Sequence, residues 1–286
     1  MFKRQTSGSV VCASCGSLVG VADSTCYHCG RRNPGLWGYG PALRRLGHDL
    51  GFVPFVTGTC IIVYMLTLLY TGSSALGGGG LLGFLAPSGY SLLLFGASGS
   101  VPVFELHRWW TVLSASWLHG GLLHIFFNIL WIRQLAPAVA DLYGAGRMVI
   151  IYTVAGVVGF TASSVAGETL GFLPIPLLHG AHLTVGASAP IFGLLGAVVH
   201  YGRRAGSSAA LSQAWNYAII MFVFGLVMPG IDNYAHAGGF AGGWLAGRLL
   251  DPLQPERVNH MLGAVICLVL SVGAIVFSVV DGLLLR

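Results

Sequence analysis

Three stretches of this sequence keep polar side chains inside otherwise apolar runs. Ser188 stands in Gly186-Ala187-Ser188-Ala189-Pro190-Ile191-Phe192-Gly193. His236 stands in Ala235-His236-Ala237-Gly238-Gly239-Phe240-Ala241-Gly242-Gly243. His119, His124 and Asn128 fall between Trp117 and Ile129. A serine hydroxyl becomes a useful nucleophile beside a base. A neutral imidazole is such a base, and further N–H donors stabilise the oxyanion that forms. Ionisable or amide groups at membrane depth are costly and call for a reason of this kind.

Cys12, Cys15, Cys26 and Cys29 carry a second chemistry. They form C-x2-C, a gap of ten residues, and C-x2-C again, with Gly16 and Gly30 after the pairs. Two such knuckles can set four thiolates around a structural zinc ion. Little apolar content surrounds them, so metal binding would supply the stability of the module. Four ligands close the site, which makes it structural. His28 lies within the second knuckle as a weaker competing ligand. The alternative is two disulfides, which need an oxidising compartment. Cys60 and Cys267 lie in apolar runs and read as packing residues.

The elements that must position these groups are membrane helices. Hydrophobic residues make up 55% of the chain and charged residues 8%, against roughly 25% charged in soluble domains. Seven segments are apolar enough to span: Val53 to Tyr70, Trp117 to Leu135, Met148 to Ala166, Ser188 to Tyr201, Trp215 to Met228, Tyr234 to Leu250 and Asn259 to Val280. The fourth and fifth are short for a bilayer that takes about 20 residues. No early apolar run reads as a cleaved signal peptide. The expected division is a module and linker over 1–50, a helical core over 51–250 and an additional helix over 251–286.

Leu81 to Phe95 is an eighth candidate, broken by Pro87, Ser88 and Gly89. If it does not span, Lys3, Arg4, Arg31, Arg32, Arg44, Arg45, Arg133, Arg147, Arg203, Arg204, Arg248 and Arg257 share one side, and Arg108 and Arg286 the other. If it spans, that bias disappears. The positive-inside rule therefore expects a cytoplasmic N-terminus, an exterior C-terminus and an outer loop from Thr71 to about Ser116. The Gly77–Gly80 run in that loop reads as flexible. The cysteines then face the cytosol, where disulfides are rare, and zinc is the preferred reading.

In this topology the second, fourth and sixth segments run inward from the outside. Ser188 and His236 lie near the outer ends of theirs. His124 and Asn128, four residues apart, share one helix face roughly 10–15 Å below the outer end. His119 precedes two glycines and marks where that helix begins. Gly239, Gly243 and Gly247 repeat every fourth residue, a groove for close helix approach. The fourth segment, with Gly193 and Ala197, is its natural partner, and that contact carries His236 towards Ser188.

These motifs together resemble the rhomboid intramembrane serine proteases. The family pattern is H-x4-H-x3-N on the second core helix, G-x-S-x at the start of the fourth, and A-H-x-x-G-x-x-x-G on the sixth, and all three occur here in order. The resemblance covers about Val53 to Leu250. It implies an all-α polytopic membrane protein with a six-helix core, the seventh helix being an addition. It implies that Ser188 is the nucleophile and His236 its base, with no catalytic Asp. His124, Asn128 and the Ser188 N–H match oxyanion-stabilising positions, Phe192 matches an aromatic packed on the histidine, and Gly186 opens the serine motif. It implies transmembrane protein substrates within membrane lipid, no catalytic cofactor and no nucleic acid. A partner for the zinc module is not implied. The expected location is a bacterial-type cell membrane.

Two positions depart from the pattern. Ala189 replaces the usual second glycine, which is expected to narrow the pocket by one methyl. Trp110-Thr111 stands where Trp-Arg is usual, with Arg108 slightly earlier, which bears on how the outer loop is anchored. A silent, client-binding relative is the rival reading and predicts loss of the serine or histidine, yet both are present. A transporter predicts paired inverted repeats, and none is evident. There is no H-E-x-x-H motif and no pair of membrane aspartates. His107, His179 and His182 read as exposed loop residues, His200 and His260 as helix-end residues, and His48 as part of the linker.

Overall fold

Lipid offers no partners to backbone N–H and C=O groups, so each spanning segment must satisfy its own as a helix. The computed structural model describes residues 3–44, 47–76, 84–172, 179–228 and 230–284. A two-stranded antiparallel hairpin comes first, β1 (Ser9–Val11) with β2 (Leu18–Gly20), pairing Val10 with Val19. Short helix α1 (Gly40–Arg44) leads to α2 (Phe52–Thr71). Two short helices follow, α3 (Gly89–Phe95) and α4 (Thr111–Ser114). Then come α5 (Leu122–Tyr143), α6 (Ala145–Leu170), α7 (Ser188–Ala205), α8 (Ser208–Val227), α9 (Asn233–Leu249) and α10 (Val258–Leu284).

The chain is thus a polytopic all-α membrane protein. Among the described residues, five helices are long and apolar enough to cross a membrane: α2 with its 3-10 extension, α5, α6, α8 and α10. Two further helices, α7 and α9, have 18 and 17 residues and carry Ser188 and His236. Their weaker apolarity has a physical reason, because they face protein more than lipid. Eleven of the 18 residues of α7 are buried, against three of 20 in α8. Around α7 stand α5, α6, α8 and α9. On α10, Leu262, Val265, Ile266, Val269 and Leu270 point outward, where acyl chains would cover them.

The closest packing joins α9 to α6 and α7. A Cβ on Gly239 would run into the carbonyl oxygen of Ala189, and one on Gly243 into that of Gly193. Gly247 continues the line against Ala197, where a Cβ would sit 3.2 Å from the Ala197 Cα. On the other side, a Cβ on Gly238 would come within 3.0 Å of the Gly159 Cα on α6. Side chains would force these backbones apart, typically at about 1–3 kcal/mol each. The four-residue glycine repeat therefore meets α7 as expected.

Several expected ends move. The fifth segment is not short: α8 begins at Ser208, seven residues before Trp215, because the Ser207 side chain accepts from Ala210 N and starts a polar first turn. The second starts late, at Leu122, since Leu118 is extended and Gly121 precedes the first turn, and it runs on through Pro137 to Tyr143. Of the eighth candidate, residues 84–95 are described. They hold only α3, seven residues capped by Ser88, too short to span. The Gly77–Gly80 run lies outside the described residues. Arg147, grouped above with the topology charges, is 2% exposed. Its guanidinium donates to the carbonyls of Asp251, Gln254 and Pro255 at 3.1, 2.7 and 2.6 Å and to His260 Nδ1 at 3.0 Å, tying α6 to the turn before α10.

Candidate active site

Ser188 is the first residue of α7 and His236 lies in the first turns of α9. The glycine contact between these helices brings His236 Nε2 to 2.9 Å from Ser188 Oγ. The Phe192 ring, one turn along α7, stacks on the imidazole with centroids 4.2 Å apart and planes 19° apart. His236 is 5% exposed, so its ring is held by packing. Its Nδ1 has no hydrogen-bond partner among the described residues, and no carboxylate reaches it. A hydroxyl so placed can pass its proton to the imidazole as it attacks a carbonyl carbon. The free N–H groups of the α7 N-terminus lie beside it and favour negative charge.

His124 faces the same place. Gly120 N donates to His124 Nδ1 at 3.3 Å. The other nitrogen, Nε2, lies against Gly186, where a Cβ would sit 2.6 Å from it and 3.7 Å from Ser188 Oγ. Gly186 also has φ +130, a conformation that residues with a side chain rarely adopt. Both its backbone and the imidazole beside it thus require glycine. Asn128 is 5% exposed, and its Nδ2 donates to His124 O at 2.9 Å on the same helix. One hydrogen of that amide is used there, and the second is left. His119 is fully buried before α5, with its ring edge-on to His124 at 5.2 Å.

Ala189 does not narrow the pocket as expected. Its methyl is fully buried and packs with Ala115, Phe160 and Ala235, towards Gly159 of α6. The sequence reading also passed over supports of the site. Asp232 caps α9 through Ala235 N at 2.9 Å and accepts from Ser163 Oγ of α6 at 2.5 Å. A capping aspartate just before a helical run was a usable signal. Gly186 N donates to Ala115 O at 2.9 Å, and Ser98 and Thr184 exchange two backbone bonds at 3.0 and 2.7 Å. Nothing local in the sequence points to those. Of the loop histidines, His107 and His182 are exposed as expected, while His179 is half-buried.

The four cysteines converge at the other end of the molecule. Their sulfurs all lie within 4.8 Å of one another. Cys12 Sγ is 3.8 Å from Cys29 Sγ, and Cys15 Sγ is 3.7 Å from Cys26 Sγ. Tetrahedral thiolates at about 2.3 Å from a zinc ion stand about 3.8 Å apart, so the cluster has the dimensions to hold a metal ion. Gly16 and Gly30 turn the knuckles at φ +75 and +72. Burial and the neighbouring thiols push Cys29 up to about 12. Burial works against ionisation of Cys15 also, but hydrogen bonds from Ser17 bring it down to about 6. One thiolate thus forms readily and opposes the next, a conflict that a bound cation removes.

Comparison with known proteins shows the family of the chain. Residues 106–252 match the Rhomboid domain. The chain is 32% identical over 192 residues to "Rhomboid protease GluP" of Bacillus subtilis (strain 168), covering 66% of this chain and 35% of that protein. It is 31% identical over 170 residues to "RHOMBOID-like protein 4" of Arabidopsis thaliana, covering 58% of this chain and 40% of that one. "Inactive RHOMBOID-like protein 8" of the same plant is 29% identical over 169 residues, 54% of this chain and 42% of that protein. The chain therefore spans well under half the length of these relatives. With the Rhomboid domain matched over half its length, this chain belongs to the rhomboid family.

Proposed function

We infer that this chain is an intramembrane serine endopeptidase that cleaves transmembrane segments of other proteins, with Ser188 as nucleophile and His236 as general base. The observation that carries this reading is the 2.9 Å approach of His236 Nε2 to Ser188 Oγ. Ser188 Oγ attacks the carbonyl carbon of the scissile bond while its proton moves to His236 Nε2. Ser188 N–H, His124 and Asn128 donate to the oxyanion. The tetrahedral intermediate collapses as His236 returns the proton to the leaving amine. Water then repeats the sequence on the acyl-enzyme, and Ser188 is regenerated. Phe192 holds the imidazole, and Gly186 leaves room for His124. His119 packs behind that ring.

Residues 1–50 form a separate cytoplasmic module that binds one structural zinc through Cys12, Cys15, Cys26 and Cys29. Residues 51–250 form the protease core and 251–286 the added helix. The N-terminus faces the cytoplasm and the C-terminus the exterior of a bacterial-type cell membrane, so Ser188 works near the outer surface. Zinc takes no part in the reaction. Its fit rests on sulfur spacings of 3.7 and 3.8 Å.

A client-binding protein without activity is the second reading, and an inactive relative gives it a specific basis. The two readings part on one experiment. A fluorophosphonate probe applied to membranes should label the wild-type chain, and label neither Ser188→Ala nor His236→Ala. An inserted, folded wild-type chain that takes no label favours the client-binding reading.

A further inference from the structure

The loop ahead of α5 is fastened to α10 by polar contacts that the proposed reaction does not use. Arg108 is 4% exposed. Its Nε lies 2.9 Å from Asp281 Oδ2. Its Nη2 donates to Ser278 O at 2.5 Å and its Nη1 to Leu93 O at 2.8 Å. Trp110 Nε1 donates to the buried hydroxyl of Ser278 at 2.9 Å, and its ring meets Phe277 edge-on at 4.5 Å. Ser278 and Asp281 are three residues apart and share a helix face. All three α10 residues lie beyond the matched domain, which ends at residue 252.

The same loop holds the residues that lead into Ser188. Ala115 O accepts from Gly186 N, and Ser98 bridges Thr184. Ser114 Oγ donates to Gly96 O at 2.7 Å. Gly96 in turn sits against α10, where a Cβ would lie 2.6 Å from Ser278 Oγ. A continuous set of short contacts therefore runs from Asp281 through Arg108 and the loop to Gly186, two residues before Ser188. Little in it can slip, because a buried guanidinium deprived of its carboxylate has no water to turn to.

We propose that Arg108, Ser278 and Asp281 are positioning residues, by which the last helix holds the 96–118 loop and, through it, Gly186 and Ser188 in register with His236. The proposal rests on the protease reading only for its activity readout. A displacement of about 1 Å at a reacting group can cost on the order of a hundredfold in rate, so a modest shift of this loop is measurable.

The test uses the full chain in membranes. Asp281→Asn should slow fluorophosphonate labelling of Ser188 by about tenfold or more, and Asp281→Glu should restore most of it. A disulfide between Ser98→Cys and Thr184→Cys reports loop register without any catalysis. It should form readily in the parent chain, more slowly with Asp281→Asn, and recover with Asp281→Glu. Should Asp281→Asn fail to insert, Ser278→Ala, which removes only the hydroxyl that receives Trp110, should show the same slowing. Parent rates of both labelling and cross-linking in these variants would overturn the proposal. If the parent chain never takes the probe but cross-linking still responds to Asp281, the positioning role stands and the protease reading fails.

Discussion

Gly120 N–H donates to His124 Nδ1 at 3.3 Å, and this bond fixes which nitrogen of His124 carries the hydrogen. A neutral imidazole accepts at one nitrogen and donates at the other. With Nδ1 accepting, the donor is Nε2, which lies against Gly186 and the approach to Ser188. Gly120, two residues before α5, thus orients a donor towards the start of α7.

His124→Ala should lower kcat on the order of 10²–10³-fold, the usual consequence of losing one oxyanion donor. KM should change little, since the bond forms chiefly in the transition state. Asn128→Ala should be no more severe, because that amide already commits one hydrogen to His124 O. Steady-state cleavage of a fluorescent transmembrane substrate separates the two parameters. An unchanged kcat in His124→Ala contradicts the assigned role.

Gly186→Ala should impair the same step as losing His124. The substitution meets φ +130 and places a methyl 2.6 Å from His124 Nε2, so the backbone must strain or the donor must turn away. Strain of this kind is worth about 1–3 kcal/mol. Activity should fall by at least tenfold, equivalent to about 1.4 kcal/mol, while the bundle stays inserted. Wild-type kcat/KM in this variant rules out the tight approach of His124.

The fold was legible in the sequence where lipid dictates it. Long apolar runs announced α2, α6 and α10 to within a few residues. They failed at α8, whose first turns are polar and are set by the Ser207 cap rather than by hydropathy. The glycine spacing on α9 was enough to seat it on α7, because close approach needs small residues at regular intervals. The site was legible as far as side-chain type and helix position carry it. The contacts that support it were not. Asp232 and Ser163 are 69 residues apart, and Arg108 meets Asp281 across most of the chain. Such pairs depend on how whole helices assemble, and no local pattern encodes them.

The cysteine cluster should hold one zinc ion per chain. Cys12→Ser with Cys15→Ser should abolish it, while activity at the far end of the bundle stays near that of the parent. Metal binding requires thiolates and releases protons. Cys29 is pushed up to about 12, so metal-free protein keeps that proton at neutral pH and must release it to bind the ion. Acid should therefore expel the metal, and affinity should climb as pH rises. Metal content of purified reduced protein, measured across pH, checks both points. Zinc-free protein at neutral pH contradicts them.

The Arg and Lys distribution predicts a cytoplasmic N-terminus and an exterior C-terminus. Single cysteines placed in the 84–88 stretch and in the 203–205 turn should react with an impermeant thiol reagent from opposite sides of intact cells. The first should react from outside. Reaction of both from one side contradicts seven crossings and the depth assigned to Ser188.

The most direct test of the account is cleavage by the purified chain in proteoliposomes with a fluorescent transmembrane substrate. Parent protein should cleave it. Ser188→Ala and His236→Ala should each abolish cleavage, and the double variant should be no worse than either, because nucleophile and base act as a unit. Acidification should also suppress the parent rate, since a protonated His236 cannot accept the serine proton. Cleavage by Ser188→Ala at the parent rate would contradict the account.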